Sequence, residues 1–284
     1  MSRTISDTGK KNKSYQNMFN LRTIFLTLLV LALIAACARV PVTDRPRLHL
    51  VPSDALLTMS QEQYSQFLAQ HELSDDEGKV QMVQEVGHNI AGAVEVYMRE
   101  QGMEDEIEHF DWQFSLVEDD AVNAFAMPGG NIVFFTGILP IAEDENGVAV
   151  IMGHEIAHVI ANHGNERMSQ ALLTQLGGVA LAVALRERPA ATQQMFMAAY
   201  GAGAQVGVLL PYSRLHESEA DHLGLIFMAM AGYDPREAPR FWERMAAQKD
   251  APQPPEFLST HPADERRIRD LEARLPEAME YYQE

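Results

Sequence analysis

The chain has 284 residues, of which 46% are hydrophobic and 22% are charged, a composition that allows an ordinary buried core and excludes a disordered tail or a collagen-like repeat. It holds 22 basic and 40 acidic side chains, and its first 36 residues contain five of the bases and one of the acids. The remaining 17 bases and 39 acids give a charge of −22, which would repel a phosphate backbone, so we expect no nucleic-acid partner.

Residues 1–36 are typical of a bacterial signal peptide that is cleaved before Cys37. A basic stretch precedes an apolar run over residues 24–36, which is shorter than the about 20 apolar residues that a spanning helix needs. The run ends in Leu33-Ile-Ala-Ala-Cys37, which resembles a lipobox, so Cys37, the only cysteine, is predicted to carry lipid. By resemblance to the sorting rule of bacterial lipoproteins, Ala38 as the second residue of the mature chain, in place of Asp, implies sorting to the outer membrane. An uncleaved signal anchor with an incidental cysteine is the alternative.

The mature chain is predicted to start as an extended tether over residues 37–53, because three prolines lie in that segment. One domain follows over residues 54–284. Its first helix is expected over about residues 54–71. A second helix over about residues 76–102 carries apolar side chains three and four positions apart, which form one buried stripe.

Three short strands are predicted after these helices. Residues 112–117 alternate between apolar and polar side chains, residues 123–130 are typical of a strand with a turn, and residues 131–135 form another strand. Pro128 cannot donate to a strand ladder, which favours an edge position. From about residue 146 onward the patterns are helical. The predicted fold class is α+β, mostly helical, with a small antiparallel sheet.

Residues 171–210 are rich in Ala, Gly, Leu and Val and allow two interpretations. One is a hairpin that dips into a membrane. The other is a pair of buried or semi-buried helices that break near Pro189. We favour the buried pair, because the charged residues 186–188 interrupt the apolar run short of a full membrane span.

The strongest chemical signal is the HExxH pentapeptide His154-Glu-Ile-Ala-His158. Histidines four positions apart share one face of a helix, so both can bind one metal ion. Glu155 projects at a neighbouring angle and can act as a general base on a water molecule that zinc makes acidic. Apolar residues surround the motif, and burying its polar side chains without a partner would be costly. The pattern predicts one zinc ion per chain.

A third protein ligand is needed if one zinc position is to stay open for catalysis. His163 is close in sequence, but it lies about 180° around the same helix from the first histidine, so we expect it at a helix end or in a supporting role. Glu217 and Asp221 lie four positions apart on a later helix. One of them can ligate zinc while the other orients a ligand histidine. An ordinary acidic helix surface is the alternative for this pair.

Over about residues 75–275 the chain resembles the zinc metallopeptidases of the HtpX, Oma and CAAX-prenyl-protease type. The segments that carry this resemblance, besides HExxH, are Asn123-Ala-Phe-Ala-Met-Pro-Gly-Gly130, Thr136-Gly-Ile-Leu139, Glu217-Ser-Glu-Ala-Asp221, Ala231-Gly-Tyr-Asp-Pro235, and Ser259-Thr-His-Pro262 with Arg267-Ile268. The resemblance implies a gluzincin-type zincin fold. With the lipobox, it extends to secreted bacterial lipoproteins similar to LoiP and BepA, without the helical-repeat domain.

The resemblance also implies a role for individual residues. Carried over by position, the zinc ligands are His154, His158 and Glu217, the base is Glu155, the residue that orients a ligand is Asp221, and two further catalytic candidates are His261 and Arg267. The last two could stabilise the oxyanion, or His261 could cap the open zinc position in a resting state. Alternatively, the segment around His261 is only the turn that begins a helix.

The implied reaction is endopeptide hydrolysis, in which Glu155 activates a water polarised by zinc for attack on the peptide carbonyl. We expect the substrate to add itself as a strand along Asn123, Ala124 and Phe125, a mode that contacts mainly backbone and suits unfolded chains. The predicted substrates are misfolded or unassembled envelope proteins, and the predicted location is the periplasmic face of the outer membrane, with lipid on Cys37 as the membrane anchor. The alternatives are an envelope chaperone or assembly factor, in which zinc is structural or the active site is occluded, and a zinc hydrolase of small amides.

Overall fold

The computed structural model describes residues 37–205, 209–249 and 254–283, so the predicted signal peptide lies outside the described residues. The described chain begins with an antiparallel hairpin of β1 (Cys37–Arg39) and β2 (Pro46–Leu48). This differs from the predicted extended tether. Arg47 of β2 is buried and donates to the carbonyl oxygen of Ala161, 114 positions away. The prolines of this segment are compatible with an extended tether and with a hairpin. Long-range contacts such as that of Arg47 hold the hairpin against the rest of the domain.

Three helices precede the sheet. They are α1 (Ser53–Leu68), α2 (Glu77–Glu100) and the single turn α3 (Glu104–Ile107). Asp76 caps α2 by accepting a hydrogen bond from the backbone N–H of Lys79, which satisfies one of the free donors at the helix start. The predicted apolar stripe of α2 is confirmed, since its buried side chains include Val83, Val86, Ile90 and Val94.

The sheet has three strands, β3 (Gln113–Val117), β4 (Ala124–Met127) and β5 (Asn131–Phe135). The predicted class of α+β, mostly helical, is confirmed, but the sheet is mixed and not antiparallel throughout. The hairpin formed by β4 and β5 folds back so that β5 lies in the middle, antiparallel to β4 and parallel to β3. As Pro128 predicts, β4 is an edge strand.

The central helix of the domain is α5 (Glu145–Ile160), which follows a 3₁₀ turn (Thr136–Ile138) and the short α4 (Leu139–Ala142). Asp144 caps α5 by accepting from two backbone N–H groups of its first turn. Every residue of α5 from position 147 to position 160 is buried. The HExxH motif therefore lies inside the core, as its apolar surroundings predict.

A second buried helix, α8 (Leu210–Met230), crosses α5 at two glycines. A Cβ atom on Gly153 would lie 2.8 Å from the carbonyl oxygen of Gly224, and one on Gly224 would lie 2.9 Å from the backbone nitrogen of His154. Only glycine permits this close approach. The crossing brings the acidic residues of α8 within reach of the histidines of α5.

The C-terminal helices cover one side of that crossing. They are α9 (Glu237–Ala247), the single turn α10 (Phe257–Thr260) and α11 (Glu265–Ala278). Trp242 of α9 and Phe257 of α10 are fully buried and stack on each other. His261 follows α10 directly, so its position is set by this aromatic contact.

Between α5 and α8 the chain forms a projecting hairpin of α6 (His163–Leu185) and α7 (Ala190–Ala204). The predicted break near Pro189 is confirmed, whereas the favoured burial of both helices is wrong. The buried side chains of α6 end at Gln170, and α7 has none. Apolar composition does not distinguish a helix inside a core from one that projects from it, because both lack a polar face.

Candidate metal centre

Four side chains from three parts of the fold meet at the crossing of α5 and α8. His154 and His158 come from α5, Glu217 from α8, and His261 from the end of α10, and their potential ligand atoms all lie within 4.8 Å of one another. The three histidines are buried, and the Glu217 side chain is 13% exposed. The predicted zinc ligands are therefore brought together.

The distances between these atoms fit a tetrahedral zinc site. The Nε2 atoms of His154 and His158 are 3.1 Å apart, and the Glu217 carboxylate oxygens lie 3.3 Å and 3.4 Å from them. Ligands about 2.0–2.1 Å from zinc in a tetrahedron are about 3.3 Å from each other. A carboxylate and two imidazole nitrogens are also the donor set that catalytic zinc sites use. The residues present fit the metal.

Asp221 has the supporting position that the sequence predicts. Its Oδ1 is 3.0 Å from Nδ1 of His154, which leaves Nε2 of that ring directed at the other ligands. Burial raises the pKa of Asp221, but the nearby Arg267 guanidinium and the hydrogen bond with His154 outweigh this and lower it. The aspartate therefore stays ionised and holds the histidine in one tautomer and orientation.

Arg267 contacts Asp221, the partner of His154. Its Nη2 donates to Oδ1 of Asp221 at 2.6 Å, and its guanidinium lies over the Trp242 ring, 3.3 Å from the centroid. A longer contact of 3.5 Å joins Nη1 to Glu217. The family resemblance implies that Arg267 could stabilise the oxyanion of the reacting carbonyl. The geometry favours a different role, in which Arg267 positions Asp221 and Glu217.

Glu155 lies on the other side of the ligand cluster. It is almost completely buried, and burial raises the pKa of its carboxyl group. Its Oε1 has no hydrogen-bond partner among the described residues and lies 3.5 Å from Nε2 of His261. A buried carboxylate oxygen without a protein partner costs free energy of folding unless a water molecule or a substrate group donates a hydrogen bond to it. This is the geometry expected of a general base.

His261 is close enough to the ligands to be one of them. Its Nδ1 is 3.0 Å from Nε2 of His154 and 2.7 Å from Glu217. Of the three roles that the sequence leaves open, this position agrees with a cap on the fourth zinc position. Burial lowers the pKa of His158 and outweighs the opposite effect of the Glu217 carboxylate. Burial raises the pKa of Glu217, but His261, His154 and His158 face its carboxylate and hold that pKa well below its usual range.

A second polar network supports His158 from the opposite side. His163, the first residue of α6, places its Nδ1 2.8 Å from Nδ1 of His158 and its Nε2 3.0 Å from Glu219. The bonds are consistent if His158 donates to His163 and His163 donates to the carboxylate, which leaves Nε2 of His158 free to bind metal. The expectation that His163 supports a ligand agrees with this geometry.

The same network reaches the N-terminal hairpin. Arg45, in the loop between β1 and β2, contacts the buried carboxylates of Glu166 at 2.7 Å and Glu219 at 2.8 Å, and His216 contacts Glu166 at 3.0 Å. Burial opposes ionisation of both glutamates. Hydrogen bonds from His216 and Arg45 to Glu166, and from His163 and Arg45 to Glu219, outweigh it and lower the pKa of each to about 2.

Two clefts open beside the ligand cluster. One of about 350 Å³ lies between α8 and α11 and has Glu217 and Arg214 in its wall. A smaller one of about 50 Å³ lies between His158 of α5 and the edge strand, with Ala126 and Met127 in its wall. The predicted substrate strand and the metal helix therefore border the same groove.

The backbone of β4 defines which groups face that groove. Asn123 accepts a hydrogen bond from the N–H of Phe135 in β5, and hydrogen-bonded pairs alternate along an antiparallel ladder. Phe125 therefore pairs with β5, and the backbone groups of Ala124 and Ala126 face the open edge. Of the predicted substrate residues, Ala124 presents its backbone outward.

Comparison with known proteins agrees with this geometry. A model of "Peptidase family M48" matches residues 81–275, which is more than half of the chain. The chain belongs to this family. It is a zinc metalloprotease.

The relatives of this M48 protein include mitochondrial and bacterial proteases. The mitochondrial metalloendopeptidase OMA1 of Schizosaccharomyces pombe is 31% identical over 84% of the chain and 67% of its own length. OMA1 of Saccharomyces cerevisiae is 36% identical over 61% of the chain and 50% of its own length. The beta-barrel assembly-enhancing protease of Escherichia coli is 31% identical over 57% of the chain and 34% of its own length. The chain thus spans half or less of the latter two.

Sequence reasoning did not find the cluster of Arg45, Glu166, His216 and Glu219. No single local motif contains all four residues, and Arg45 lies 121 and 174 positions from its two glutamates. The available signal was weak: Glu219 lies inside the ExxxD segment, between the predicted ligand and its supporting aspartate.

Proposed function

We propose that this M48 protein is a lipid-anchored endopeptidase that degrades misfolded or unassembled proteins of a bacterial envelope. The observation that carries the hydrolytic part is the buried Glu155 carboxylate, with one oxygen unpartnered among the described residues, beside a tetrahedral set of two histidines and a glutamate. The envelope assignment rests on the lipobox-like sequence that ends at Cys37 and on the named bacterial relative.

Zinc held by His154, His158 and Glu217 would polarise the scissile carbonyl and make a water molecule acidic. Glu155 takes the proton of the attacking water, for which its raised pKa suits it, and then delivers that proton to the leaving amine. Asp221 holds His154 in its ligating orientation, and Arg267 holds Asp221. Deep burial of the site excludes competing water from these transfers.

The substrate binds as an added strand along the open edge of β4. The outward backbone groups of Ala124 and Ala126 pair with its main chain, and the groove between β4 and α5 receives its side chains. Main-chain pairing requires an extended, unfolded segment and tolerates many side chains. A protease of this kind selects clients by their unfolding, as quality control requires.

The test is cleavage of a reduced, unfolded protein such as casein by the purified chain in the presence of zinc. Glu155→Gln should retain one zinc per chain and lose between about 10²- and 10⁴-fold in kcat, the contribution of a general base. Glu100→Gln, the same change at the exposed C-terminal end of α2, is the matched control and should cleave at the wild-type rate. Equal cleavage by Glu155→Gln and the control would disprove the proposed mechanism.

The position of His261 favours a second candidate function, that of a chaperone or assembly factor with an occluded site. Its Nδ1 lies within the ligand set, where it would occupy the fourth zinc position. Cellular complementation separates the two functions. If the Glu155→Gln protein corrects the defect of a strain that lacks the wild-type protein, binding is the function. If it does not correct the defect, hydrolysis is the function. Separately, metabolic labelling with radioactive palmitate should mark the wild-type chain and not the Cys37→Ser chain if Cys37 carries lipid.

A further inference from the structure

The hairpin of α6 and α7 exposes an unusual amount of apolar surface. Beyond Gln170 no side chain of either helix is buried. Its exposed large hydrophobic residues are Leu172, Leu173, Leu176, Val179, Val183, Met195 and Phe196. We call residues 171–204 the apolar hairpin. Contiguous apolar patches of this kind mark an interaction site, because they would otherwise cause aggregation in water.

Charge is absent from both arms of the apolar hairpin and confined to its turn. Residues 168–185 and 189–213 contain no Asp, Glu, Lys or Arg, although 22% of the whole chain is charged. The three residues of the turn, Arg186, Glu187 and Arg188, are all charged and exposed. Two uncharged helices joined by a charged turn are not typical of a surface that contacts water or a polar partner.

The arms are apolar on every side, which favours a lipid environment over a protein groove. A helix that packs on one partner protein has one apolar stripe, whereas a helix immersed in hydrocarbon is apolar all round. Among the described residues, α6 is the helix long and apolar enough to cross a membrane, and 11% of its most apolar window is buried. It is thus neither a core helix nor part of the export segment.

The length of the uncharged arm matches a bilayer. Eighteen residues from 168 to 185 span about 27 Å as a helix, against a hydrocarbon core of about 30 Å. The charged turn would then reach the far headgroup layer, where arginine side chains contact phosphates. The hydroxyl of Tyr200 donates to the carbonyl oxygen of Thr174 on the other arm at 2.8 Å, so this polar group is satisfied inside the hairpin.

The N-terminal hairpin enters the fold beside the base of α6. Cys37 pairs with Leu48 across β1 and β2, and the N–H of Leu48 contacts Glu166 of α6 at 3.4 Å. The N–H of Leu50 donates to Ser169 at 2.9 Å. The apolar run over residues 24–36 precedes Cys37 directly. A membrane attachment at this point, lipid or peptide, therefore brings the bilayer to the base of the apolar hairpin.

We infer that the apolar hairpin inserts into the lipid bilayer to which the N-terminus attaches, with its charged turn in the opposite headgroup layer. Because α6 is continuous from His163 to Leu185, the five helical steps from His163 to Met168, where the uncharged arm begins, place the metal centre about 8 Å above the membrane. This last consequence rests on the proposed protease function, whereas the insertion itself does not.

The test uses variants of the full processed chain that each carry one introduced cysteine besides Cys37, with a fluorescent label that reports polarity. Val179 lies in the middle of an arm and is 56% exposed, and Val96 on α2 is its matched control at 53%. The Val179→Cys and Val96→Cys proteins are reconstituted in vesicles of phosphatidylethanolamine and phosphatidylglycerol. Unmutated protein reports any labelling at Cys37. Lipids brominated deep in their acyl chains should quench the Val179→Cys label and leave the Val96→Cys label unchanged.

Two results would overturn the inference. One is equal access of aqueous iodide to both labels in the vesicle-bound protein. The other is protection of the Val179→Cys label from aqueous iodide in the absence of lipid, to a degree that increases with protein concentration. That result would assign the surface to contact with a second copy of the chain.

A charge variant gives a second measurement. Val179→Asp, in a chain labelled at Leu176→Cys, should lower the inserted fraction about 100-fold, because a charge at the centre of a bilayer is strongly disfavoured. Val96→Asp should leave it unchanged. Both positions are exposed, so neither change should disturb folding, and cleavage of soluble casein should stay at the wild-type rate in both. Undiminished insertion of the Val179→Asp protein would also overturn the inference.

Discussion

Removal of Arg45 should cost the fold substantial stability, although the residue lies outside the hydrophobic core. Its guanidinium forms bonds of 2.7–3.2 Å with the carboxylates of Glu166 and Glu219, whose side chains are 1% and 6% exposed. Arg45→Met keeps most of the aliphatic stem and removes the positive charge. The two buried carboxylates would then be left with histidine, hydroxyl and backbone N–H partners and without a guanidinium.

The expected loss can be worked from the pKa of each glutamate. Both are lowered from 4.5 to about 2, and one pKa unit corresponds to about 1.4 kcal/mol. Arg45 shares this stabilisation with His216 and His163, so about half of it, or about 3 kcal/mol in total, depends on the arginine. Breaking a buried ion pair by removing one partner costs about 3–5 kcal/mol in other proteins. We expect a loss of about 3 kcal/mol at pH 7, or about 6–12 °C in Tm.

Denaturant unfolding of wild type and Arg45→Met, with chelator present so that zinc loss does not contribute, measures this difference. Arg39→Met is the control, because Arg39 lies in the same hairpin and pairs with Asp44 at 2.7 Å, but both side chains are mostly exposed. Such surface pairs contribute less than about 1 kcal/mol.

The pH dependence separates this mechanism from a general loss of packing. A carboxylate with a lowered pKa stabilises the folded state above its unfolded pKa of 4.5, and this contribution disappears as pH falls through about 2. The difference between wild type and Arg45→Met should therefore be full at pH 7 and shrink between pH values of about 4.5 and 2. A difference that stays constant over this range would refute the reasoning.

Three further predictions concern the metal centre. Asp221→Asn should lower zinc affinity about 10–100-fold in a competition assay with a chelator, because the substitution removes the charged partner of His154. An unchanged zinc affinity would argue against an orienting role of Asp221. His163→Phe should have a similar effect through His158, and His88→Phe, a histidine on α2, should have none. Gly224→Ala should destabilise the fold by roughly 1–3 kcal/mol, since its Cβ would meet the α5 backbone, and thermal unfolding would show it.

How much of the site the sequence could predict depends on the distance between partners along the chain. His154 and His158 share a face because a helix repeats every 3.6 residues, and Glu217 and Asp221 share one for the same reason, so spacing alone predicts each pair. That the two helices cross at Gly153 and Gly224 is a matter of tertiary packing. The resemblance to a known family, and not periodicity, supplied that connection.

The N-terminal hairpin and the apolar hairpin show where local patterns fail. Residues 37–53 contain three prolines, which predict extended chain, but whether that chain pairs with itself and docks depends on buried acids in α6 and α8. Residues 171–204 have the composition of core helices. The number of neighbours that a helix acquires is a property of the whole fold, so apolar content predicted the two helices and not their exposure.

α6 connects these unpredicted parts to the chemistry. Its first turn supplies His163 to the ligand His158 and Glu166 to Arg45, and its later turns form one arm of the apolar hairpin. A helix transmits displacement along its axis as a rigid body over a few turns, so a force on the hairpin acts on the hydrogen bond that orients His158. Given the inferred insertion of the apolar hairpin, an enzyme outside the membrane would thus have a less restrained zinc ligand than an inserted one. Zinc affinity that is higher in vesicles than in detergent-free solution for wild type, and equal in both for Val179→Asp, is the expected result of this coupling.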